Sequence, residues 1–281
     1  MMEHLYSVLE TLLPFSWVKY DFMKNAFLAV LLLTPLFGLI GTMVVENKLA
    51  FFSDALGHSA LTGIAAGMLL GIADTTLATI LFAIAFAWLL NMIRRARVSA
   101  SDTVISVFSS TAVALGLVLL SSQGAFAKYS TYLIGDILTI RPQEVGMLFI
   151  VFTAVILLFL AGYNRLVAMT VNMSLARTRH IPVRLLESLF VIVIAVTITV
   201  SIKWVGILLV NSLLILPAAA GRNLARNMQQ YHLWALLFAL TSGISGLILS
   251  YYYGFATGPA IVLVSAAFYF LTYLVQSKNR R

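Results

Sequence analysis

The chain has 281 residues, 61% of them hydrophobic and only 10% charged, with a mean hydropathy of +1.00. A soluble domain holds about 25% charged and 45–50% apolar residues, so a water-soluble globular protein is excluded and an integral membrane protein indicated. There is no cysteine, which removes disulfides, thiolate metal ligands and a cysteine nucleophile. The net charge of +8 would point to nucleic acid in a soluble protein; in a membrane protein it records loop orientation, and no nucleic-acid partner is expected.

The first 24 residues contain Glu3, Glu10 and Asp21 and lack the basic start of a signal peptide, so no cleavage is expected. Leu5, Val8, Leu9, Leu12 and Leu13 recur at helical spacing, the pattern of an amphipathic segment lying at the membrane interface. A crossing helix needs about 20 mostly apolar residues. That rule predicts nine spans: Asn25–Val45, Leu49–Ile72, Thr75–Ile93, Thr103–Leu120, Val145–Ala161, Leu185–Ile202, Val205–Ala220, Leu233–Ser250 and Gly258–Val275. Only Lys203 and Trp204 separate the sixth from the seventh, so a tight hairpin or a sharply kinked pair both fit, and eight spans remain the alternative. The apolar stretch over 132–140 is too short to cross and reads as a half-helix packed inside the protein, because unpaired backbone cannot face lipid. The fold class is therefore an all-α polytopic bundle. It forms one transmembrane domain over residues 25–275, with a basic tail at 276–281.

Alternating nine spans gathers Lys48, Arg94, Arg95, Arg97, Arg165, Arg177, Arg179, Arg184, Arg222, Arg226, Lys278, Arg280 and Arg281 on one side, thirteen of the 18 basic residues. The rich side is cytoplasmic, which puts the C-terminus inside and the N-terminus outside. Gly63, Gly67 and Gly71 form a ridge of small residues that permits close helix approach, within one subunit or between two.

Ionisable groups inside a membrane each cost about 2.5–3.5 kcal/mol at mid-span, so they are the informative ones. Asp74, Glu144 and Glu187 sit at span ends, Glu187 within a turn of Arg184, and Asp102 fits a helix-capping role. His4, His180 and His232 fall in interfacial or cytoplasmic stretches or at a span border and read as surface residues. Asp54 and His58 differ. They lie inside an apolar run, and a separation of four places both on one helix face. A carboxylate oxygen and an imidazole nitrogen suit zinc, manganese or iron; a hydrogen bond that merely ties helices together fits the same pair. Two ligands fall short of the four of a closed zinc site. A symmetric dimer would supply a second pair, or Asp136 would complete the set within one chain, unless it only bonds local backbone in a turn. No G-x-x-x-x-G-K-[ST], H-E-x-x-H or G-x-S-x-G occurs, so the energy source is a partner protein or an ion gradient.

Three segments resemble the permeases of bacterial divalent-metal ABC importers. They are Phe52-Ser53-Asp54-Ala55-Leu56-Gly57-His58-Ser59-Ala60-Leu61-Thr62-Gly63, then Tyr132-Leu133-Ile134-Gly135-Asp136-Ile137-Leu138, then Lys203-Trp204-Val205-Gly206-Ile207-Leu208-Leu209-Val210 running on to Leu214-Ile215-Leu216-Pro217-Ala218-Ala219-Ala220. Order and spacing match over roughly residues 25–275. The resemblance implies a permease of the bacterial cytoplasmic membrane that works as a homodimer. Cytoplasmic ATP-binding cassette ATPases drive it, and an extracytoplasmic metal-binding protein delivers zinc, manganese or iron. It implies Asp54 and His58 as pathway ligands and the segment from Ala218 to Met228, with Arg222 and Arg226, as the helix that docks on the ATPase. No firm role transfers to Asp136. Thr62, where manganese-type members often carry proline, favours zinc. No permanently bound cofactor and no catalytic residue of its own are expected. The competing functions are an ion-coupled secondary transporter, a permease for haem or a siderophore, and a membrane enzyme using a metal held by Asp54 and His58.

Overall fold

Backbone amides cannot go unpaired in lipid, so a chain this apolar has helix as its local solution. The computed structural model describes residues 6–7, 9–11, 15–72, 75–95 and 101–279. Glu3, His4, Leu5, Val8, Leu12, Leu13, Asp74, Arg97, Arg280 and Arg281 lie outside them. Among the described residues there is no strand, and nine helices reach 18 residues or more. These are α1 (Asp21–Glu46), α2 (Ala50–Leu69), α3 (Thr75–Arg95), α4 (Ser101–Ser122), α5 (Pro142–Val171), α6 (Val183–Val205), α7 (Ile207–Leu224), α8 (Met228–Tyr253) and α9 (Thr257–Asn279). Seven are long and apolar enough to cross a membrane, which corrects the expected count of nine. The two not among the seven are α2, diluted by Ser53, Asp54, His58 and Ser59, and α7, at 18 residues the shortest of the nine.

Three boundaries differ from the hydropathic reading for backbone reasons. First, α6 runs through Lys203 and Trp204 and breaks only at Gly206, where φ is 89° and ψ 148°, a conformation essentially restricted to glycine. Second, no half-helix occupies 132–140. The turns Phe126–Tyr129 and Thr131–Ile134 stop at Gly135, whose φ is 69°, and a 3-10 turn follows at Ile137–Thr139. Third, α5 continues for 30 residues, past Asn164 and Arg165. A polar side chain ends a hydropathic run without breaking the hydrogen-bond ladder.

The chain divides into two compact units, the first comprising 1–42, 135–157 and 212–281 and the second 43–134 and 158–211. In the first, the 3-10 turn Ser16–Lys19 buries Trp17 and Val18, and Trp17 packs its ring 5.3 Å from that of Phe27. Lys24 is buried, its ammonium satisfied by Asp21 at 2.9 Å and Glu10 at 2.5 Å. Ser250 of α8 bonds Thr257 at the start of α9 at 2.7 Å, and Asn223 of α7 donates to Thr272 of α9 at 3.1 Å. His232, expected at the surface, is buried, with Nδ1 2.8 Å from Thr42 Oγ1 of α1. The Thr42 hydroxyl donates to the Leu39 carbonyl at 2.6 Å, which leaves the imidazole N–H to donate to Thr42. The other predicted surface histidine, His180, is exposed.

In the second unit, α2 lies between α3 and α4. Gly63 and Gly67 face α3, where a methyl on Gly67 would meet Ala78 Cβ at 2.5 Å. The small-residue ridge is thus a seam inside one chain, and Gly71, beyond the helix end, takes no part. Between α3 and α6, Glu187 pairs with Arg94 and, at 2.9 Å, with Arg95. Arg95 also donates to the Arg184 carbonyl at 2.8 Å. Glu187 therefore ties two helices together rather than pairing with its neighbour Arg184.

Candidate metal-transport site

The site lies in the second unit. Asp54 and His58 occupy successive turns of α2, with His58 Nε2 3.8 Å from Asp54 Oδ1. Their side chains are 31% and 45% exposed, His58 the less, although their helix neighbours Ala55, Leu56, Gly57 and Ser59 are buried. Both open into a cavity of about 550 Å³ between α2 and α4, which α4 lines with Ser106, Ser109 and Ser110 above Val113. A carboxylate, an imidazole and three hydroxyls thus converge on one space. All are oxygen or nitrogen donors suited to a divalent cation or to its bound waters.

Helix α7 supplies a group that sequence reasoning missed. Asn211 donates from Nδ2 to Asp54 Oδ1 at 3.3 Å, and the fully buried Ser53 hydroxyl, whose single proton the Ala50 carbonyl also faces at 2.8 Å, has Asn211 Oδ1 as its nearer acceptor at 2.6 Å. The reverse amide orientation would set oxygen against carboxylate. The one available signal was an uncharged amide in the middle of the run Ile-Leu-Leu-Val-Asn-Ser-Leu-Leu, since such a group needs a partner wherever it is buried. The first turn of α7, just after Gly206, lies beside α2 at Gly57, where an added methyl would stand 3.5 Å from Val210 Cγ1 and 3.6 Å from the Ile207 carbonyl oxygen.

The wall between α2 and α4 is tight one turn beyond His58. Thr62 donates to the Ala112 carbonyl, and a methyl on Gly116 would stand 2.7 Å from Thr62 N. Asp136 belongs to the other unit. It is exposed, and its carboxylate accepts the N–H of Leu138 at 3.0 Å. Among the described residues no three His, Asp or Glu side chains gather closely enough to hold an ion. Of the proposed coupling residues, Ala218 is fully buried, so it offers no surface, whereas Arg222 in the last turn of α7 and Arg226 beyond it are exposed.

A helical bundle with seven candidate spans and a polar cavity beside one of its helices is the build of a multi-pass membrane permease. PsaBC from Streptococcus pneumoniae, solved in complex with Fab, shares this fold with a TM-score of 0.82 over 97% of this chain and 95% of that one, at 24% identity. The model of the ABC 3 transport family matches residues 19–276, and the chain belongs to that family. The high-affinity zinc uptake system membrane protein ZnuB of Haemophilus influenzae is 31% identical over 257 residues, 90% of this chain and 97% of that protein. The manganese transport system membrane protein MntC of Listeria innocua is 28% identical over 266 residues, covering 93% of each. The family resemblance carried by the three sequence segments is borne out.

Proposed function

We propose that this chain is the permease subunit of an ATP-driven, binding-protein-dependent importer of divalent transition-metal ions, with zinc favoured, manganese next and iron third. The observation that carries it is the Asp54–His58 pair opening into the serine-lined cavity. With zinc–ligand bonds of about 2.0–2.1 Å, a tetrahedral N–Zn–O angle sets the two donors about 3.4 Å apart. The observed 3.8 Å closes to that with a shift of about 0.4 Å. The names of the relatives include both zinc and manganese systems, so the preference rests on Thr62.

The protein resides in the bacterial cytoplasmic membrane, with its C-terminus inside and its N-terminus outside. Two copies pair, the second contributing the ligands that one Asp–His pair leaves open. An extracytoplasmic binding protein releases the ion, which rests at Asp54 and His58. Two cytoplasmic ATPases close on ATP, and their motion enters through the segment bearing Arg222 and Arg226, so that access alternates across the membrane. A sparse site suits such traffic, because binding has to be weak enough to let the ion leave. His58→Ala abolishes zinc uptake by the assembled transporter in vesicles while its ATPase subunits stay bound. Uptake at the wild-type rate would refute the ligand assignment.

A further inference from the structure

Resting on that reading of Asp54 and His58, we propose that Asn211 is a positioning residue that holds Asp54 in the empty site and competes with the cargo for it. The cation enters and leaves by exchange with an amide on a single carboxylate oxygen.

The geometry of one atom carries this. Asp54 Oδ1 is approached by Asn211 Nδ2 at 3.3 Å and by His58 Nε2 at 3.8 Å. A cation seated between the imidazole and that oxygen draws on the same atom that the amide now holds. A strong hydrogen bond to a carboxylate measures about 2.7–2.9 Å, so the Asn211 bond is stretched. It orients the carboxylate and yields to a better partner. The amide itself does not turn away, because the buried Ser53 hydroxyl engages its oxygen at 2.6 Å. It remains poised to recapture Oδ1 when the ion moves on. No other side chain among the described residues donates a hydrogen bond to Asp54. The serines of α4 face the same cavity, but no hydrogen bond joins Ser106, Ser109 or Ser110 to the carboxylate among the described residues.

A competitor of this kind weakens binding and speeds release together, so its loss has a signature that a structural defect lacks. The test is zinc uptake by the fully assembled transporter, ATPase subunits included, in lipid vesicles. In Asn211→Ala the zinc concentration for half-maximal uptake falls about three- to tenfold, the range for one ordinary net hydrogen bond, which is what a contact stretched to 3.3 Å supplies, and the maximal rate falls with it. Ser53→Ala, which frees the amide to rotate, shifts both in the same direction by less. It carries the test by itself if Asn211→Ala fails to assemble. A rise in half-saturating zinc, a lower maximal rate with half-saturation unmoved, or wild-type kinetics in both variants would overturn the proposal. His58→Ala run alongside separates the two levels. If it abolishes uptake while Asn211→Ala and Ser53→Ala behave as wild type, only the exchange fails; if it transports normally, the site itself has been misassigned.

Discussion

Replacing Gly116 by alanine tests how closely α2 and α4 must approach to shape the cavity. The added methyl would stand 2.7 Å from Thr62 N and Oγ1 and 2.9 Å from Thr62 Cα. Two of these three atoms are backbone, so no rotamer change relieves the clash. Bringing the nearest contact out to an ordinary 3.4 Å requires the helices to part by about 0.7 Å. Overpacking of this kind costs about 1–3 kcal/mol, and loss of the Thr62 hydrogen bond to Ala112 adds about 0.5–1.5 kcal/mol, so a total near 2–4 kcal/mol is expected. Helices in lipid depend on such close seams, having no hydrophobic drive toward one another. The measurement is thermal unfolding of the purified transporter in detergent, with Gly57→Ala as control. There the new methyl makes only ordinary contacts, 3.5 Å from Val210 Cγ1. Gly116→Ala lowers Tm by about 5–10 °C and Gly57→Ala leaves it close to wild type. Equal melting of Gly116→Ala and wild type, or a larger loss in Gly57→Ala, would refute the packing argument.

Two further outcomes follow from the same second unit. Glu187→Ala leaves Arg94 and Arg95 facing each other without their shared carboxylate and destabilises by about 2 kcal/mol, less than a fully buried pair would lose. A double-mutant cycle with Arg94→Ala yields a coupling energy of about 1 kcal/mol or more, and strict additivity would contradict the pairing. Gly206→Ala forces a side chain into the backbone conformation at the α6–α7 junction and costs about 1–3 kcal/mol; a variant that melts with the wild type would show that the junction is not set by that residue.

Hydropathy located every long helix, because burial in lipid and helix formation are the same requirement for this chain. It placed the α6–α7 break two residues early, since Lys203 interrupts a run of apolar side chains whereas Gly206 interrupts the backbone. It also made α5 end at Ala161, where polarity begins, ten residues before the helix does. Asp54 and His58 were legible as a pair because i,i+4 spacing is local. Partners distant in sequence were not. Glu187 was legible only as a span-end carboxylate within a turn of Arg184, whereas the residues it pairs with stand more than 90 positions away. His232 was read as a surface residue although Thr42 lies 190 positions off. Asn211, uncharged and embedded among leucines, gave no electrostatic cue that a carboxylate 157 positions earlier relied on it.

The length of α5 has a mechanical corollary. Thirty residues at 1.5 Å each reach about 45 Å, half as long again as the hydrocarbon layer of about 30 Å. The helix is thus about ten residues longer than that layer, and the excess matches its polar-interrupted last third, which carries Asn164 and Arg165. That excess is not idle length. Near its tip, Thr170 accepts a hydrogen bond from Asn47 at 3.0 Å and so braces the corner where α1 hands over to α2, a strut behind the helix that presents the carboxylate and imidazole.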